Sequence, residues 1–407
     1  MQLSRNLAGR GHEVLHEYSS QYVTGHGRLS VEPGDPSTLR IETVTASVPM
    51  VKYSPVARSR FELAYATAWR RRLESERHDV VVACNVPLFA LARMRRHFAR
   101  TGQPWVLWHQ DVYSMGVAAE ADRRLPAPLA TTVRRGVEGL EKSQVSSATA
   151  VVAIGEPFLE QYARWGIVRE GVTVIPNWAP LDELTPGPRE NAWSRREGLP
   201  VEPLRLMYAG TLGRKHNPLL LLELLDQVRA RGRDAVLVVV SEGVGADDLR
   251  AAAGDRTDVR ILGYQPAQEL ADVLASADVL VALLEPDAAR FSVPSKVLSY
   301  LCVGRPIIAL VPDGNPSAAD VTAGGGFVAA PTPDGAADAA RWLAVTAESS
   351  QLDNIGIRAR NLAADRFNVD RIGSRFESIL MDAANSGPQN GGMPAAAIGS
   401  RTMGGVV

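Results

Sequence analysis

Residues 285–306 read Glu-Pro-Asp-Ala-Ala-Arg-Phe-Ser-Val-Pro-Ser-Lys-Val-Leu-Ser-Tyr-Leu-Cys-Val-Gly-Arg-Pro, and this stretch decides the fold. An apolar run at 278–284 precedes the loop, and a second apolar run at 307–311 follows the stretch. Between the two runs the pattern predicts a polar loop, a short helix and a Gly-Arg-Pro turn. This order is typical of a parallel α/β sheet, in which ligands bind at loops leaving the carboxyl ends of strands.

The loop inside this stretch carries side chains that suit an anionic ligand. Ser292, Ser295 and Lys296 supply two hydroxyls and an ammonium at the start of the expected helix. The first amides of a helix lack partners within it and attract negative charge. The loop therefore indicates binding of a phosphate-containing ligand.

A second segment, 207–217, has the same character and reads Met-Tyr-Ala-Gly-Thr-Leu-Gly-Arg-Lys-His-Asn. A strand runs into glycines, which let the backbone approach a ligand closely. Arg214 and Lys215 follow, and Pro218 is typical of a first helical position. Cations and helix-start amides suit a diphosphate. A plain βα turn with two solvated cations is the alternative, and the motif alone does not decide between the two.

Strand and helix signals alternate in two blocks, which predicts an α/β protein with a parallel sheet in each block. We expect a first domain at 1–180, completed by a last amphipathic helix at 366–384, and a second domain at 204–365. Residues 181–203 carry several prolines and many charges, so we interpret them as a linker. Residues 385–407 are rich in small residues with little charge, which predicts a disordered tail. The expected strands are 79–83, 104–108, 148–154, 172–175, 204–209, 235–241, 259–262, 278–284 and 306–311.

The start of the chain is unusual for an α/β domain. Residues 1–11 have the pattern of an amphipathic helix, and a short strand signal follows at Val14 and Leu15. Such a domain normally begins with a strand and a glycine-rich loop. We therefore expect that a first strand is missing upstream, with an unusual opening as the alternative.

Composition excludes several classes of protein. The 407 residues are 45% apolar and 22% charged, with a net charge of −1, which is ordinary for a globular protein and gives no argument for nucleic-acid binding. No apolar run approaches membrane-spanning length and no signal segment opens the chain, which predicts a cytoplasmic protein. Cys84 and Cys302 lie in apolar surroundings, so we expect free thiols. The seven histidines are scattered without ligand spacing, so we expect no metal site.

Two basic groups of the first domain suggest contact with a membrane surface. These groups are Arg70 to Arg72 and the series from Arg93 to Arg100. Clustered arginines are attracted to anionic lipid headgroups. Ordinary solvated helix faces are the alternative.

The segment 105–111, Trp-Val-Leu-Trp-His-Gln-Asp, places polar groups at the end of an expected strand. By the rule for parallel sheets, His109 and Asp111 would face the ligand side of the first domain. A histidine there could donate a hydrogen bond or a proton to a reacting group. A structural histidine, or an aspartate that caps the next turn, is the alternative.

With these residues in view, the chain resembles the retaining glycosyltransferases of family 4, which have the GT-B fold of two Rossmann-like domains with parallel sheets facing across a cleft. The resemblance is closest to the branch found in colanic-acid and O-antigen biosynthesis. Two segments carry most of it, Tyr-Ala-Gly-Thr-Leu-Gly-Arg-Lys at 208–215 and Val-Pro-Ser-Lys-Val-Leu-Ser-Tyr-Leu at 293–301. Weaker matches lie at 7–14, 175–178, 262–264, 277–278 and 304–306.

The resemblance implies a sugar transfer from a nucleotide diphosphate sugar to a glycan or lipid-linked acceptor, with retention at the anomeric carbon and without a metal or other cofactor. The second domain would hold the donor and the first the acceptor, with the last helix crossing back to the first domain. The catalytic residues implied are His109, Asp111, Arg214 and Lys215. The donor-binding residues implied are Gly210, Thr211, Gly213, Arg214, Lys215, Gly263, Tyr264, Ser292, Ser295, Lys296 and Ser299.

The chain also departs from the family pattern. Many members carry two glutamates eight positions apart, and Phe291 and Ser299 stand at those places here, with Glu285 as a nearby substitute. The family's catalytic histidine directly precedes an aspartate, whereas Gln110 separates His109 from the aspartate in this chain. A non-catalytic nucleotide-sugar-binding paralogue and a nucleotide-sugar epimerase therefore remain alternatives.

Overall fold

A computed structural model describes residues 1–21, 29–51, 54–168, 170–213, 216–284, 295–346, 349–386 and 404–406. The chain forms two compact units. The first consists of Met1–Pro176 together with Val369–Val407, and the second is Asn177–Asn368. The boundary therefore falls before residues 181–203, and the end of the chain returns to the first unit.

The first unit contains a parallel sheet of seven strands in the order β2-β1-β13-β3-β4-β5-β6. Its central strands are continuous apolar runs because helices cover such a sheet on both faces. The strands are β1 (Glu13–Tyr18), β2 (Leu39–Thr43), β3 (Val80–Cys84), β4 (Trp105–His109), β5 (Ala150–Ala153), β6 (Val172–Val174) and β13 (Gly404–Val406). The helices are α1 (Gln2–Gly9), α2 (Pro55–Ser75), α3 (Leu88–Thr101), α4 (Tyr113–Arg124), α5 (Ala127–Ser147), α6 (Pro157–Arg164) and α15 (Val369–Asn385).

The last helix, α15, packs against α1 and β4 of the first unit. A Cβ atom on Gly373 would lie 1.9 Å from Oδ1 of Asn6, so a larger residue there would displace the Asn6 amide. The Asn6 amide donates to Asp370, and the ring of Phe376 contacts Trp108 edge-on with centroids 4.9 Å apart. The amphipathic pattern read in the sequence thus covers the core of the first unit.

The second unit contains a parallel sheet of six strands in the order β12-β11-β10-β7-β8-β9. Read from β9, this is the Rossmann order 3-2-1-4-5-6, in which β7 is the first and central strand. The strands are β7 (Leu204–Ala209), β8 (Ala235–Val240), β9 (Val259–Leu262), β10 (Val279–Leu283), β11 (Ile307–Leu310) and β12 (Phe327–Ala329). The helices are α7 (Ala192–Arg196), α8 (Leu219–Ala230), α9 (Val244–Ala253), α10 (Leu270–Ala275), α11 (Ser295–Cys302), α12 (Pro316–Ala323), α13 (Pro333–Thr346) and α14 (Ser349–Arg366), with a 3₁₀ turn at Ala267–Glu269.

Strand β7 is buried on both faces of the second sheet. Met207 and Ala209 belong to the cluster that includes residues of α11 and α14. Leu206 and Tyr208 belong to the opposite cluster with residues of α8 and α13. This alternation follows from the two-residue period of a strand, and it makes β7 the centre of the second unit.

Residues 181–203 are not a separate linker, because they pack within the second unit. Arg205 at the start of β7 is 0% exposed, and its guanidinium ties this segment to the sheet. Burial lowers the pKa of Arg205, so the hydrogen-bond acceptors around the guanidinium are needed to stabilise its charge. The prolines of the segment suggested a linker, but backbone carbonyls of the same segment accept hydrogen bonds from the buried guanidinium. The guanidinium donates to Glu190 and to the carbonyls of Arg189, Leu199, Pro200 and Ser276.

The end of the chain contributes β13 to the centre of the first sheet. Gly404 pairs with Glu13 of β1, and Gly405 pairs with Val80 of β3, in parallel on both sides. In strand order β13 takes the place that β7 takes in the second sheet. The prediction of a disordered tail is therefore wrong for 404–406, while 387–403 lie outside the described residues.

Deleting residues 404–407 should destabilise the first unit, because β1 and β3 would both lose a pairing strand and expose backbone groups. We expect faster amide hydrogen exchange in peptides that cover β1 and β3, with no change in β8 and β10. Deletion of 387–407 should give the same exchange pattern. Unchanged exchange in β1 and β3 after the shorter deletion would contradict the pairing of β13.

Replacing Arg205 with methionine should destabilise the second unit, because several buried carbonyls and Glu190 would lose their donor. We expect the calorimetric Tm to fall by about 5–10 °C, for a loss of about 3 kcal/mol in a unit of this size. Arg250→Met is the matched control, because Arg250 forms an exposed pair with Asp247 at 2.8 Å and should matter little. Equal effects of the two substitutions would refute the role given to Arg205.

Candidate functional site

The second sheet has a topological switch point between β7 and β10. From β7 the chain continues towards β8 and β9 on one side, and from β10 towards β11 and β12 on the other. In open α/β sheets the loops that leave the two strands at such a point diverge, and ligands bind in the crevice between them. The loop after β7 begins at Gly210, and the loop after β10 leads to α11 through residues 285–294, which lie outside the described residues.

Tyr300 of α11 fixes the backbone at this switch point. Its hydroxyl accepts from the amide of Ala209 and donates to the carbonyl of the same residue, both at 3.0 Å. Tyr300 is 1% exposed, so these are buried hydrogen bonds. They hold α11 against the end of β7 and thereby position the first turn of the helix.

Lys296 lies in that first turn, against the end of β7. Its ammonium contacts the hydroxyl of Tyr208 and lies 3.9 Å from the centroid of the Tyr208 ring. A Cβ atom on Gly210 would be 3.5 Å from both Cε and Nζ of Lys296. Gly210 also has a φ of 130°, a conformation that favours glycine. The structure thus brings together the end of β7, Gly210 and Lys296.

The electrostatic setting of Lys296 favours an anionic ligand. Burial lowers the pKa of the Lys296 ammonium to about 7. Burial also raises the pKa of Tyr208, so that phenol keeps its proton, and its hydroxyl donates to the carbonyl of Thr211 at 3.0 Å. Across the described ranges, Lys296 forms no ion pair with a carboxylate. A phosphate at this position would supply a counter-charge that the described residues do not give the ammonium.

The loops after β7 and β8 are joined closely. The amide of Leu212 donates to the hydroxyl of Ser241, and the amide of Gly245 donates to the carbonyl of Leu212, both at 3.0 Å. Cβ atoms on Gly243 and Gly245 would lie 3.1 and 2.9 Å from that carbonyl oxygen. The glycines therefore permit the approach that shapes the site. These residues were not predicted from the sequence, although Ser-Glu-Gly-Val-Gly directly after β8 is a usable signal.

Residues after β9 complete the group. The hydroxyl of Tyr264 is hydrogen-bonded to the hydroxyl of Thr211, which joins two of the predicted segments. The amide of Tyr264 donates to Oε1 of Glu242 at 3.3 Å, and the Tyr264 side chain is 50% exposed. An exposed aromatic ring beside a carboxylate offers a stacking surface and a hydrogen-bond acceptor. Glu242 is a further residue that the sequence analysis missed.

The structure thus brings most of the predicted donor residues to one edge of the second sheet. Gly210, Thr211, Gly263, Tyr264 and Lys296 lie at the carboxyl ends of β7, β9 and β10 or in the helix that follows β10. The amide of Gly213 donates to Nδ1 of His216 at 3.1 Å, and Ser299 is half-buried in α11. Ser295 begins α11, but its side chain is outside the described residues. Ser292 lies outside them altogether. Arg214 and Lys215 are also outside the described residues.

In the first unit, His109 ends β4 and is buried among protein partners. Its Nδ1 is 2.7 Å from the hydroxyl of Tyr162, and its Nε2 is 3.3 Å from Oε1 of Glu141. Nε2 donates to the carboxylate, and burial raises the pKa of Tyr162, so that phenol keeps its proton beside Nδ1. Contact between His109 and a donor sugar would require one of these hydrogen bonds to break.

Glu141 connects His109 to the start of α4. Its carboxylate accepts from the amide of Tyr113 at 2.8 Å and from the amide of Ser114 at 3.0 Å. These are the first amides of the helix, which have no partners within it. Glu141 is 1% exposed, so it is a buried cap for α4 that also orients His109.

A small pocket opens beside this network at the carboxyl ends of β3 and β4. Its polar lining includes Asn85, Gln110 and Tyr113. The Tyr113 hydroxyl donates to Oδ1 of Asn85 at 3.3 Å, and Asn85 has a left-handed φ of 51°. Asp111 follows β4 and is exposed. Polar groups at this edge were predicted from the sequence, but Asn85 was not among them.

The basic groups of the first unit are partly occupied by other residues. Arg72 forms a hydrogen-bonded ion pair with Glu17 at 3.0 Å and a second pair with Glu42. Arg95 donates to the carbonyl of Ser143 at 3.4 Å. None of the helices in the described part of the chain is long and apolar enough to cross a membrane. Within the same residues, no cluster of histidine, cysteine and carboxylate side chains suits a metal ion, and both cysteines are free thiols.

Three solved structures resemble this one over most of their length. Sucrose-phosphate synthase from Thermosynechococcus elongatus shares 16% identity, with 94% of this chain and 91% of that chain covered and a TM-score of 0.71. WaaG, a glycosyltransferase involved in lipopolysaccharide biosynthesis, shares 15% identity, with 93% and 94% covered and a TM-score of 0.65. HepE from Anabaena in complex with UDP-glucose shares 15% identity, with 91% and 100% covered and a TM-score of 0.64. At this identity the likeness shows the fold.

Family comparisons agree with the fold. Residues 1–178 match the family described as a glycosyl transferase 4-like domain, and residues 203–345 match the family described as glycosyl transferases group 1. No curated protein matches the chain by sequence. The two matched regions correspond to the two parallel sheets described above, each a Rossmann-like domain. The chain therefore belongs to the glycosyltransferases of the GT-B fold.

Proposed function

We propose that this glycosyltransferase moves a sugar from a nucleotide diphosphate sugar to a glycan or lipid-linked acceptor, with retention at the anomeric carbon. The observation that best supports a donor site is the position of the Lys296 ammonium, which lies against Gly210 and Tyr208 at the switch point of the second sheet. HepE, a structure of the same fold, contains UDP-glucose. A hexose donor is therefore the first to test.

In the proposed complex the diphosphate lies over the end of β7 and the start of α11. Gly210 leaves room for the phosphates, and the first amides of α11 and the Lys296 ammonium face them. Arg214 and Lys215 follow in the same loop and would add positive charge against the departing diphosphate. Stabilisation of that charge is the main catalytic contribution we assign to the second unit.

The nucleoside would lie beside the residues after β8 and β9. We propose that Tyr264 and the backbone of Gly263 meet the base, and that Ser299 reaches a ribose hydroxyl. Ser299 is a weaker partner for a ribose than the glutamate that the family pattern has at this place. Glu242 is held by the Tyr264 amide and offers a further acceptor near the base.

The transfer itself needs no covalent intermediate on the protein. The bond between the anomeric carbon and the diphosphate oxygen breaks, and the acceptor oxygen bonds to that carbon on the same face. The proton of the acceptor hydroxyl goes to the departing phosphate. Asp111 is proposed to orient the acceptor, while His109 is proposed to hold the edge of β4 in shape through Glu141 and Tyr162.

A chain that binds a nucleotide sugar without transferring it is the second candidate. Ser299 favours it, because a hydroxyl stands in α11 where many related enzymes have a carboxylate. An epimerase has less support, because no acid/base carboxylate pair lies near Lys296 among the described residues. Slow release of nucleoside diphosphate from the donor in water would exclude the pure binder, since a binder leaves the donor intact.

We place the activity in polysaccharide or cell-envelope biosynthesis, on the cytoplasmic side of the membrane. The resemblance to that branch of family 4 supports this placement. Surface contact with lipid through Arg93 to Arg100 is part of the proposal, whereas Arg72 is committed to carboxylates within the protein.

A thermal-shift series with UDP, GDP and their glucose conjugates should identify the donor. At a nucleotide concentration of about one hundred times Kd, the stabilisation is about 2.7 kcal/mol, and the Tm should rise by about 5–10 °C. The double variant Arg214→Ala/Lys215→Ala should lose this shift. Arg123→Ala/Arg124→Ala is the control, because it removes two exposed arginines of the first unit at 71% and 62% exposure.

The same thermal-shift series distinguishes the proposed donor site from its alternatives. A shift with one base only would assign the nucleotide, and its loss in the Arg214/Lys215 variant alone would support the donor site. No shift with any nucleotide would contradict the proposed function. An equal loss in both double variants would indicate a general charge effect and would also count against the assigned site.

A further inference from the structure

We propose that Lys296 takes up a proton from solvent when the donor diphosphate binds, so that donor binding and protonation of this side chain are coupled. The inference rests on the proposed function, because it requires a phosphate at the switch point. It assigns to Lys296 a role that a permanently charged residue could not perform.

The geometry around Lys296 accommodates both the amine and the ammonium. The Tyr208 hydroxyl gives its proton to the carbonyl of Thr211, so its oxygen lone pairs are open to an N–H of Lys296 in either state. The face of the Tyr208 ring, 3.9 Å away at its centroid, interacts favourably with the charged form. Loss of the proton therefore does not break the contact that positions the side chain.

Among the described residues, which exclude Arg214, Lys215 and the charged groups of 285–294, the titratable groups near Tyr208 and Lys296 are mostly neutral. Tyr208 lies on β7 and Tyr300 on α11, and burial raises the pKa of both phenols. Tyr264, after β9, is hydrogen-bonded to the Thr211 hydroxyl, and His216 lies edge-on to Tyr208 with centroids 6.4 Å apart. Glu242, after β8, accepts from the Tyr264 amide and does not pair with Lys296. Arg214 and Lys215 lie outside the described residues.

These surroundings explain the direction in which the pKa of Lys296 is shifted. With no carboxylate partner among the described residues, burial is what acts on the ammonium, and it lowers the pKa of Lys296 to about 7. About half of the unliganded molecules would then carry a neutral amine at neutral pH. A diphosphate brought into contact favours the charged form and raises the pKa again.

The choice of lysine is itself informative in this chain. Only four of the 44 basic residues are lysines, at positions 52, 142, 215 and 296, and the other 40 are arginines. An arginine stays charged at all relevant pH values, whereas a buried lysine can lose its proton near neutrality. Lysine at position 296 allows a coupling that arginine, the usual cation here, would abolish.

The sign of the pH dependence follows. Binding raises the pKa of Lys296, so the affinity is fully present below the pKa of about 7 of the unliganded protein. As pH rises above that value, the affinity falls by up to about tenfold per unit until the pKa of the complex is reached. Nucleotide sugars suit the measurement, because their diphosphate lacks the terminal phosphate that titrates near pH 6.

The first test is an NMR titration of the full chain labelled with ¹³C at lysine Cε. Four signals are expected, and the variants Lys296→Arg and Lys142→Arg assign two of them. The Lys296 signal should show a midpoint near pH 7 in the unliganded protein. With saturating UDP-glucose or GDP-glucose the midpoint should rise by about two units or more, while that of Lys142 should stay unchanged.

The second test is calorimetric titration of the same two nucleotide sugars at pH 8 in buffers with different ionisation enthalpies. From a pKa of about 7, the wild type should take up about 0.9 proton per donor bound. Lys296→Arg should bind with almost no uptake and with an affinity that is flat between pH 7 and about 8.5. Lys142→Arg should behave as the wild type.

Three results would overturn the coupling. One is a midpoint for Lys296 near the ordinary value of lysine in the unliganded protein. Another is donor binding by the wild type without proton uptake, which would leave the proposed function intact. A third is equal proton uptake in Lys296→Arg. If neither nucleotide sugar binds at any pH, the proposed function fails together with the inference.

Discussion

The hydrogen bonds between the Tyr300 hydroxyl and both backbone groups of Ala209 are the interaction on which the donor site depends. They fix one face of α11 on the end of β7. Lys296 lies four residues before Tyr300 and therefore on the same face of the helix. Tyr208 directly precedes Ala209 on the strand, so the same anchor brings the ammonium to the phenol. Without these hydrogen bonds, only apolar packing would hold α11 against the end of β7.

Strand β7 is held at both of its ends by a buried polar side chain. At its start, Arg205 donates to backbone carbonyls of the segment 181–203. At its end, Tyr300 and the close contact of Leu212 with Gly245 fix the loop. Fully satisfied polar networks in a core specify one arrangement, because any shift leaves buried groups without partners. The central strand of the second sheet is thus a rigid support for a site whose ligands meet its end.

Much of the second unit could be predicted from the sequence, because its strands are unbroken apolar runs with helices between them. The strand before residue 285, the helix at Ser295–Cys302 and the strand after Pro306 follow directly from the pattern. Contacts between distant segments could not be predicted in this way. The pairing of Thr211 with Tyr264 and the capping of α4 by Glu141 depend on tertiary packing that no local pattern encodes. The prolines in 181–203 suggested a linker, because a local pattern cannot show that backbone carbonyls of this segment bind a buried guanidinium. Three residues as simple as Gly404–Val406 carry no strand signal of their own.

The position of β13 has a consequence for the order in which the protein is completed during synthesis. The second unit is one continuous segment, so it can fold as soon as it has left the ribosome. The first unit needs α15 and then β13, which pairs with β1 and β3, strands that begin more than three hundred residues earlier. Its sheet therefore remains open until residues 404–406 have been made, although most of it is made much earlier. The domain that is synthesised first is in this arrangement the last to close.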